Sequence, residues 1–134
     1  MVVKEFKYRG KTMQELEQLS IEEFAKLLNA RAKRSVLRGF DKKLLKKIEK
    51  ERERQKKGET PKAIRTHRRD IVIIPAMVGL LFGVHKGNSF EVIEIKPQML
   101  GHYLGEMVLT RKRLVHGKAG IGATRSSTAI TARG

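Results

Sequence analysis

Cysteine is absent from this chain of 134 residues, which excludes a disulfide framework, a thiolate nucleophile and any zinc site built on thiolates. That absence suits a reducing compartment. Acidic residues are scarce, 14 Asp and Glu against 30 Lys and Arg, for a formal net charge of +16. Self-repulsion of that size opposes compaction unless a polyanion neutralises it. Nucleic acid is the commonest such partner inside cells, because Lys and Arg release its condensed counterions. Long hydrophobic runs are lacking too. The longest, residues 71–84, has 14 residues and is broken by Pro75, Gly79 and Gly83, whereas a membrane helix needs about 20. It reads as protein core. The start, MVVKEFKYRG, lacks the apolar stretch of a signal peptide, so secretion is not expected.

What is present suggests one domain with appendages. Thr12 with Glu15, and Ser20 with Glu23, have the spacing of capping boxes. Ile21, Phe24, Ala25 and Leu28 then follow one helical face, predicting a helix over residues 21–34 with Gly39 as a stop signal. Asp41 can cap a second helix, KKLLKKIEKERERQKK, which is expected to pack at its apolar start and to project, solvated, at its charged end. Gly58 and Pro61 break it. DIVII reads as a buried strand, and Pro75 starts one helical turn. LFGVHKGNSFEVIEI reads as a hairpin turning at residues 86–89, where Gly87 and Asn88 can take positive φ. Pro97 is expected to open a helix through Met107. The fold class is therefore α+β: a small mixed sheet of about three strands with helices packed on one side, plus an N-terminal helical extension and an extended basic C-terminal tail. The divisions are residues 1–40 for the helical extension, 41–110 for the α+β core and 111–134 for the tail.

Candidate chemistry is thin. GKAGIGATRSS fails the phosphate-loop spacing, since no Lys and Ser/Thr follow its last glycine directly and no strand-to-helix context surrounds it. His67, His85, His102 and His116 lack the pairing of metal ligands and read as surface donors that can also stack on bases. Ser126 and Ser127 have no triad partners in view, so no catalytic, cofactor or metal site is assigned. Gly101 and Gly105 would allow close approach along one helix face, either of the protein's own sheet or of a phosphate backbone. The basic groups are better organised. RTHRRD precedes the first expected strand, Lys86 and Asn88 sit at the hairpin tip, and TRKR leaves the last expected helix. All three lie at boundaries of the apolar core, where they can converge on one edge as a multipoint phosphate grip. A DNA-binding or chromatin-type protein would share the charge but should show a groove-reading helix or dimer symmetry.

R-x-x-R-R before the strand, then IIPAMVG, VHKG and GHYLGE in that order and spacing, resemble the family of small-subunit ribosomal proteins numbered nineteen. The resemblance is strong over residues 61–118. YRGKTMQEL, NARAKR and GIGATRSS are similar to its archaeal and eukaryotic branch. The chain departs from that branch in ending STAITARG, so nothing is carried over to the last eight residues. The resemblance implies a non-catalytic constituent of the subunit head in the cytoplasmic ribosome, bound to small-subunit rRNA beside neighbouring ribosomal proteins. It also implies a tail directed toward the decoding region, within reach of tRNA or the large subunit, with no membrane and no small-molecule substrate. Residue by residue it implies rRNA contacts at Arg65, His67, Arg68, Arg69, Lys86, Asn88, His102, Arg111, Lys112, Arg113, His116, Lys118 and Arg125. An acid-free, glycine-rich tail costs about 1 to 2 kcal/mol per residue to order, so it is expected to be fixed only where rRNA supplies phosphates.

Overall fold

Local capping signals set the first half of the chain, and the computed structural model describes residues 6–115. Arg9 and Gly10 both take positive φ and turn a two-residue hairpin between β1 (Lys7–Tyr8) and β2 (Lys11–Thr12), which the sequence reading did not anticipate. The Thr12 amide donates to the Glu15 carboxylate at 3.0 Å, opening α1 (Met13–Gln18). Ser20 and Glu23 close a full capping box at 3.1 and 3.2 Å, opening α2 (Ile21–Leu27). The bond from the Ser20 amide holds the Glu23 carboxyl below its ordinary pKa.

The single helix expected over residues 21–34 is two helices. Leu28 and Asn29 are extended, and the Asn29 side chain accepts from the Ala32 amide at 2.8 Å, starting α3 (Ala30–Leu37). An asparagine that can bond the backbone ahead of it competes with helix continuation, and here it wins. Gly39, at φ 113°, follows α3 as expected. Asp41 caps α4 (Lys42–Lys56), accepting from the Lys43 amide at 2.9 Å.

The charged end of α4 does not project, contrary to expectation. Glu51 is only 5% exposed and accepts from the Lys62 amide at 2.6 Å, with Arg54 at 3.5 Å. Arg52 reaches both Glu17 and the Pro75 carbonyl at 3.2 Å, and Gln55 donates to the Gly79 carbonyl at 3.0 Å. Little more than one turn of polar side chains, residues 51–55, thus clips the charged end of the helix to the core, beyond the buried Leu44 and Ile48.

The sheet also differs from the reading. Its first strand is β3 (Ile64–Thr66), which pairs parallel with β4 (Leu81–His85), and β4 pairs antiparallel with β5 (Phe90–Glu94). The predicted strand DIVII makes only one bridge, Val72 to Tyr103. Its backbone instead bonds an irregular segment: Ile73 to His102 at 2.8 Å, Gly101 to Ile73 at 3.1 Å and Leu104 to Ile71 at 2.9 Å. The helix expected from Pro97 is two isolated 3-10 turns, Pro97–Met99 and Leu104–Glu106. Gly101 breaks it at φ 79°, and the amides of Gly101, Leu104 and Gly105 go across to Ile73, Ile71 and Arg69 while those of Leu100, His102, Glu106 and Met107 bond three residues back. The hairpin is as predicted, His85 facing Phe90 and the Lys86 amide bonding the Ser89 carbonyl at 2.9 Å. Of its two turn candidates, Gly87 takes positive φ and Asn88 does not.

Alternation along the strands sends Ile64, Phe82 and Val84 into a buried cluster shared with Leu16, Phe24, Ala32, Val36, Leu44 and Ile48. The helices therefore lie on one side of the sheet, and one apolar core runs from Leu16 to Val108. Removing the buried acceptor should show how far α4 depends on its clips. Glu51→Ala is expected to lower stability by about 1 to 3 kcal/mol in urea unfolding, while Glu49→Ala and Glu53→Ala, exposed on the same helix, stay within about 0.5 kcal/mol of the parent.

Candidate nucleic-acid interface

The parallel register of β3 and β4, Thr66 opposite Val84, brings the chain after β3 alongside the hairpin end of β4. His67 and His85 consequently stack with ring centroids 4.3 Å apart. Arg69 then turns inward. Its guanidinium donates to the His85 carbonyl and the Gly105 carbonyl, each at 2.7 Å, and to the Val108 carbonyl. The Gly105 amide returns a bond to the Arg69 carbonyl at 2.9 Å. A Cβ on Gly105 would fall 2.9 Å from that carbonyl oxygen, so the chains approach this closely only because the residue is glycine.

One arginine therefore gathers the three basic stretches at one end of the molecule. RTHRRD carries it, the hairpin ending at Lys86 is bonded through His85, and the segment leading to Arg111, Lys112 and Arg113 is bonded through Gly105 and Val108. The convergence expected from element boundaries is present, but Arg69 serves it as a brace with its donors turned to carbonyls. The Gly101 and Gly105 alternative also has an answer: the protein's own chain occupies both approaches, Arg69 at Gly105 and the Tyr8 hydroxyl 2.6 Å from where a Gly101 Cβ would sit.

The remaining cations differ in freedom. Arg68 is 52% exposed, makes a two-point contact with Asp70 at 3.0 and 3.3 Å, and has Asp41 at 4.0 Å. The hydrogen bond to Asp70 raises the Arg68 pKa, and the same bond holds the Asp70 carboxyl below the ordinary carboxylate range. Lys86 lies 3.6 Å from Glu91, and His102 Nδ1 lies 2.7 Å from Glu106. Asn88 is exposed at the hairpin tip. Arg65, Arg111, Lys112 and Arg113 are exposed and have no ion-pair partner among the described residues. His116, Lys118 and Arg125 lie outside the described residues.

One cluster at this end, Arg65, His67, His85 and Phe90, is not evident as a group from the sequence. Phe90 meets both His67 and His85 edge-on at 5.0 Å, with the Arg65 guanidinium 5.7 Å from its ring centre. The signal was the hairpin itself, since a four-residue turn at 86–89 makes positions 85 and 90 cross-strand neighbours. Arg31 and Arg38 were also passed over. With Phe40, Arg68 and Tyr103 they line a cavity of about 450 Å³ between α3 and the core.

A family model described as Ribosomal protein S19 matches residues 31–116. The chain belongs to the ribosomal protein S19 family. The match begins well before residue 61, so α3 and α4 share in it together with the sheet. Among relatives, the Small ribosomal subunit protein uS19 of Halorubrum lacusprofundi is 49% identical over 124 residues, 92% of this chain and 88% of the relative. That relative is archaeal, in keeping with the branch to which YRGKTMQEL and NARAKR pointed. As an S19 family member the chain is a structural, non-enzymatic component of the small ribosomal subunit. Among the described residues no helix is long and apolar enough to cross a membrane.

Arg69→Lys keeps the charge and removes the fork that serves several carbonyls at once. It is expected to cost about 1.5 to 3 kcal/mol in thermal or urea unfolding, whereas Arg65→Lys should leave stability within about 0.5 kcal/mol. For Asp70 the sign follows from its lowered pKa: the ion pair with Arg68 contributes above the unfolded carboxyl's pKa and is lost as pH falls through the lower folded value. In a carboxyl-detected NMR titration the Asp70 midpoint should lie below that of an ordinary aspartate and move up in Arg68→Gln.

Proposed function

We propose that this S19 family protein binds small-subunit rRNA in the head of the subunit through the end of the sheet that Arg69 organises. The observation that carries the reading is the convergence there of three basic stretches far apart in sequence. Arg65, Arg68, Lys86, Arg111, Lys112 and Arg113 supply six cations, while Asn88, His67 and His102 add further donors. Lys118 and Arg125, beyond the described residues, would bring the cations to eight. Arg69 acts from beneath, by holding the others in place. Such a site grips phosphates at several points and carries no helix aimed at base edges, which favours a folded RNA over duplex DNA. Neighbouring ribosomal proteins are the second class of partner. The tail beyond residue 115, free of acids, is proposed to reach toward the decoding region, with tRNA or the large subunit nearby.

If six to eight phosphates are met, log affinity for a small-subunit rRNA head fragment should fall with log salt at a slope of about −4 to −7. Filter binding across a salt series measures it, with duplex DNA of equal length as the comparison. A slope near zero, or equal preference for the duplex, rejects the reading.

A further inference from the structure

One face of the sheet is covered by the helices, and the other carries a continuous set of side chains that nothing in the chain covers among the described residues. Register places Arg65, Gly83 and Val92 in one row and His85 beside Phe90 in the next, with His67 continuing β3 on the same side. Val92 is 57% exposed, and Arg65 and His67 are exposed. Gly83 shapes this face. Having no side chain, it leaves a trough in which the Arg65 stem lies, 3.2 Å from where a Cβ would sit. The guanidinium is thereby carried to within 5.7 Å of the Phe90 ring centre. Next to it the His67, His85 and Phe90 rings contact one another at 4.3 to 5.0 Å. The Gly87 amide donates to His85 Nδ1 at 3.2 Å, so the neutral ring carries its proton on Nε2, a donor beside the rings.

We propose that the Arg65, His67, His85 and Phe90 surface is a stacking site for one or two unpaired rRNA bases. The inference rests on the RNA-binding reading and deepens it, since phosphate contacts alone do not require rings. Charge complementarity selects the occupant. The Arg65 guanidinium, which has no ion-pair partner among the described residues, lies beside the rings, so a strand whose bases lie over them has its backbone beside an unpaired cation. Aromatic faces and guanidinium planes accept any base, and unpaired RNA is the form in which bases are available to them.

The test uses the full chain and two synthetic RNAs: a short oligoadenylate, and one of equal length and phosphate count whose central bases are removed. The intact oligomer is expected to bind about 5- to 100-fold more tightly, with the His67 and His85 ring protons shifting only on its addition. Phe90→Leu and the exposed His67→Ala should each reduce that preference while leaving the salt slope unchanged. Equal affinity for the two oligomers, or variants that keep the parent's preference, overturns the stacking site while phosphate binding stands. Failure of both oligomers to bind at low salt overturns the stacking site together with the RNA reading beneath it.

Discussion

The guanidinium of Arg69 is shared among carbonyls of His85, at the end of β4, and of Gly105 and Val108, in the irregular segment near residue 108. Without it the segment after Leu104, a single 3-10 turn followed by loop, would have few backbone partners. A charged donor facing several carbonyls in a partly buried place gains more per bond than a neutral one, and the planar fork loses little freedom in making them. This brace sets the relative positions of the hairpin tip, the RTHRRD stretch and the exit toward Arg113. The backbone that carries the neighbouring cations is thereby tied to the core at Arg69, His85, Gly105 and Val108.

The small number of acids is placed where it limits repulsion and shapes the fold. Glu15 and Glu23 open helices, Glu51 and Glu17 hold α4 down, and Asp41 and Asp70 restrain Arg68. Each is engaged by the protein's own backbone or by an arginine. The consequence is a surface whose unpaired charge is positive at the end of the sheet, and a helix, α4, able to be strongly basic on its outer side while remaining docked.

Much of this was legible in the residues. Capping boxes, the Asp41 start of α4, the hairpin with its turn at 86–89 and the α+β class all follow from short-range rules that tertiary context leaves alone. The failures share a cause. DIVII has every local mark of a strand, yet its partner is the Gly101 segment, too irregular to extend a ladder, while Ile64, with no such marks, pairs because β4 lies beside it. The helix expected after Pro97 lost the amides of Gly101, Leu104 and Gly105 to residues 69–73, a competition no window of sequence reveals. In the site, charge and position at element boundaries disclosed the basic stretches. What could not be read was that Arg69 differs from Arg68, since adjacent arginines in RRD are equivalent until one finds carbonyls. Glu51 was hidden likewise among the charges of KERERQ.

The parallel pairing of β3 with β4 carries a consequence for the order of folding. β4 and β5 are joined by four residues and can meet early, whereas β3 must wait for residues 67–80 to cross the core and return. Closing that longer loop brings its reward late. His67 and Arg69 lie within the crossover, so the neighbourhood of His85 is complete only once the crossover is in place. Pairing of β4 with β5 alone would give the hairpin without the Arg69 brace, so the assembled end of the sheet depends on the crossover as much as on the hairpin.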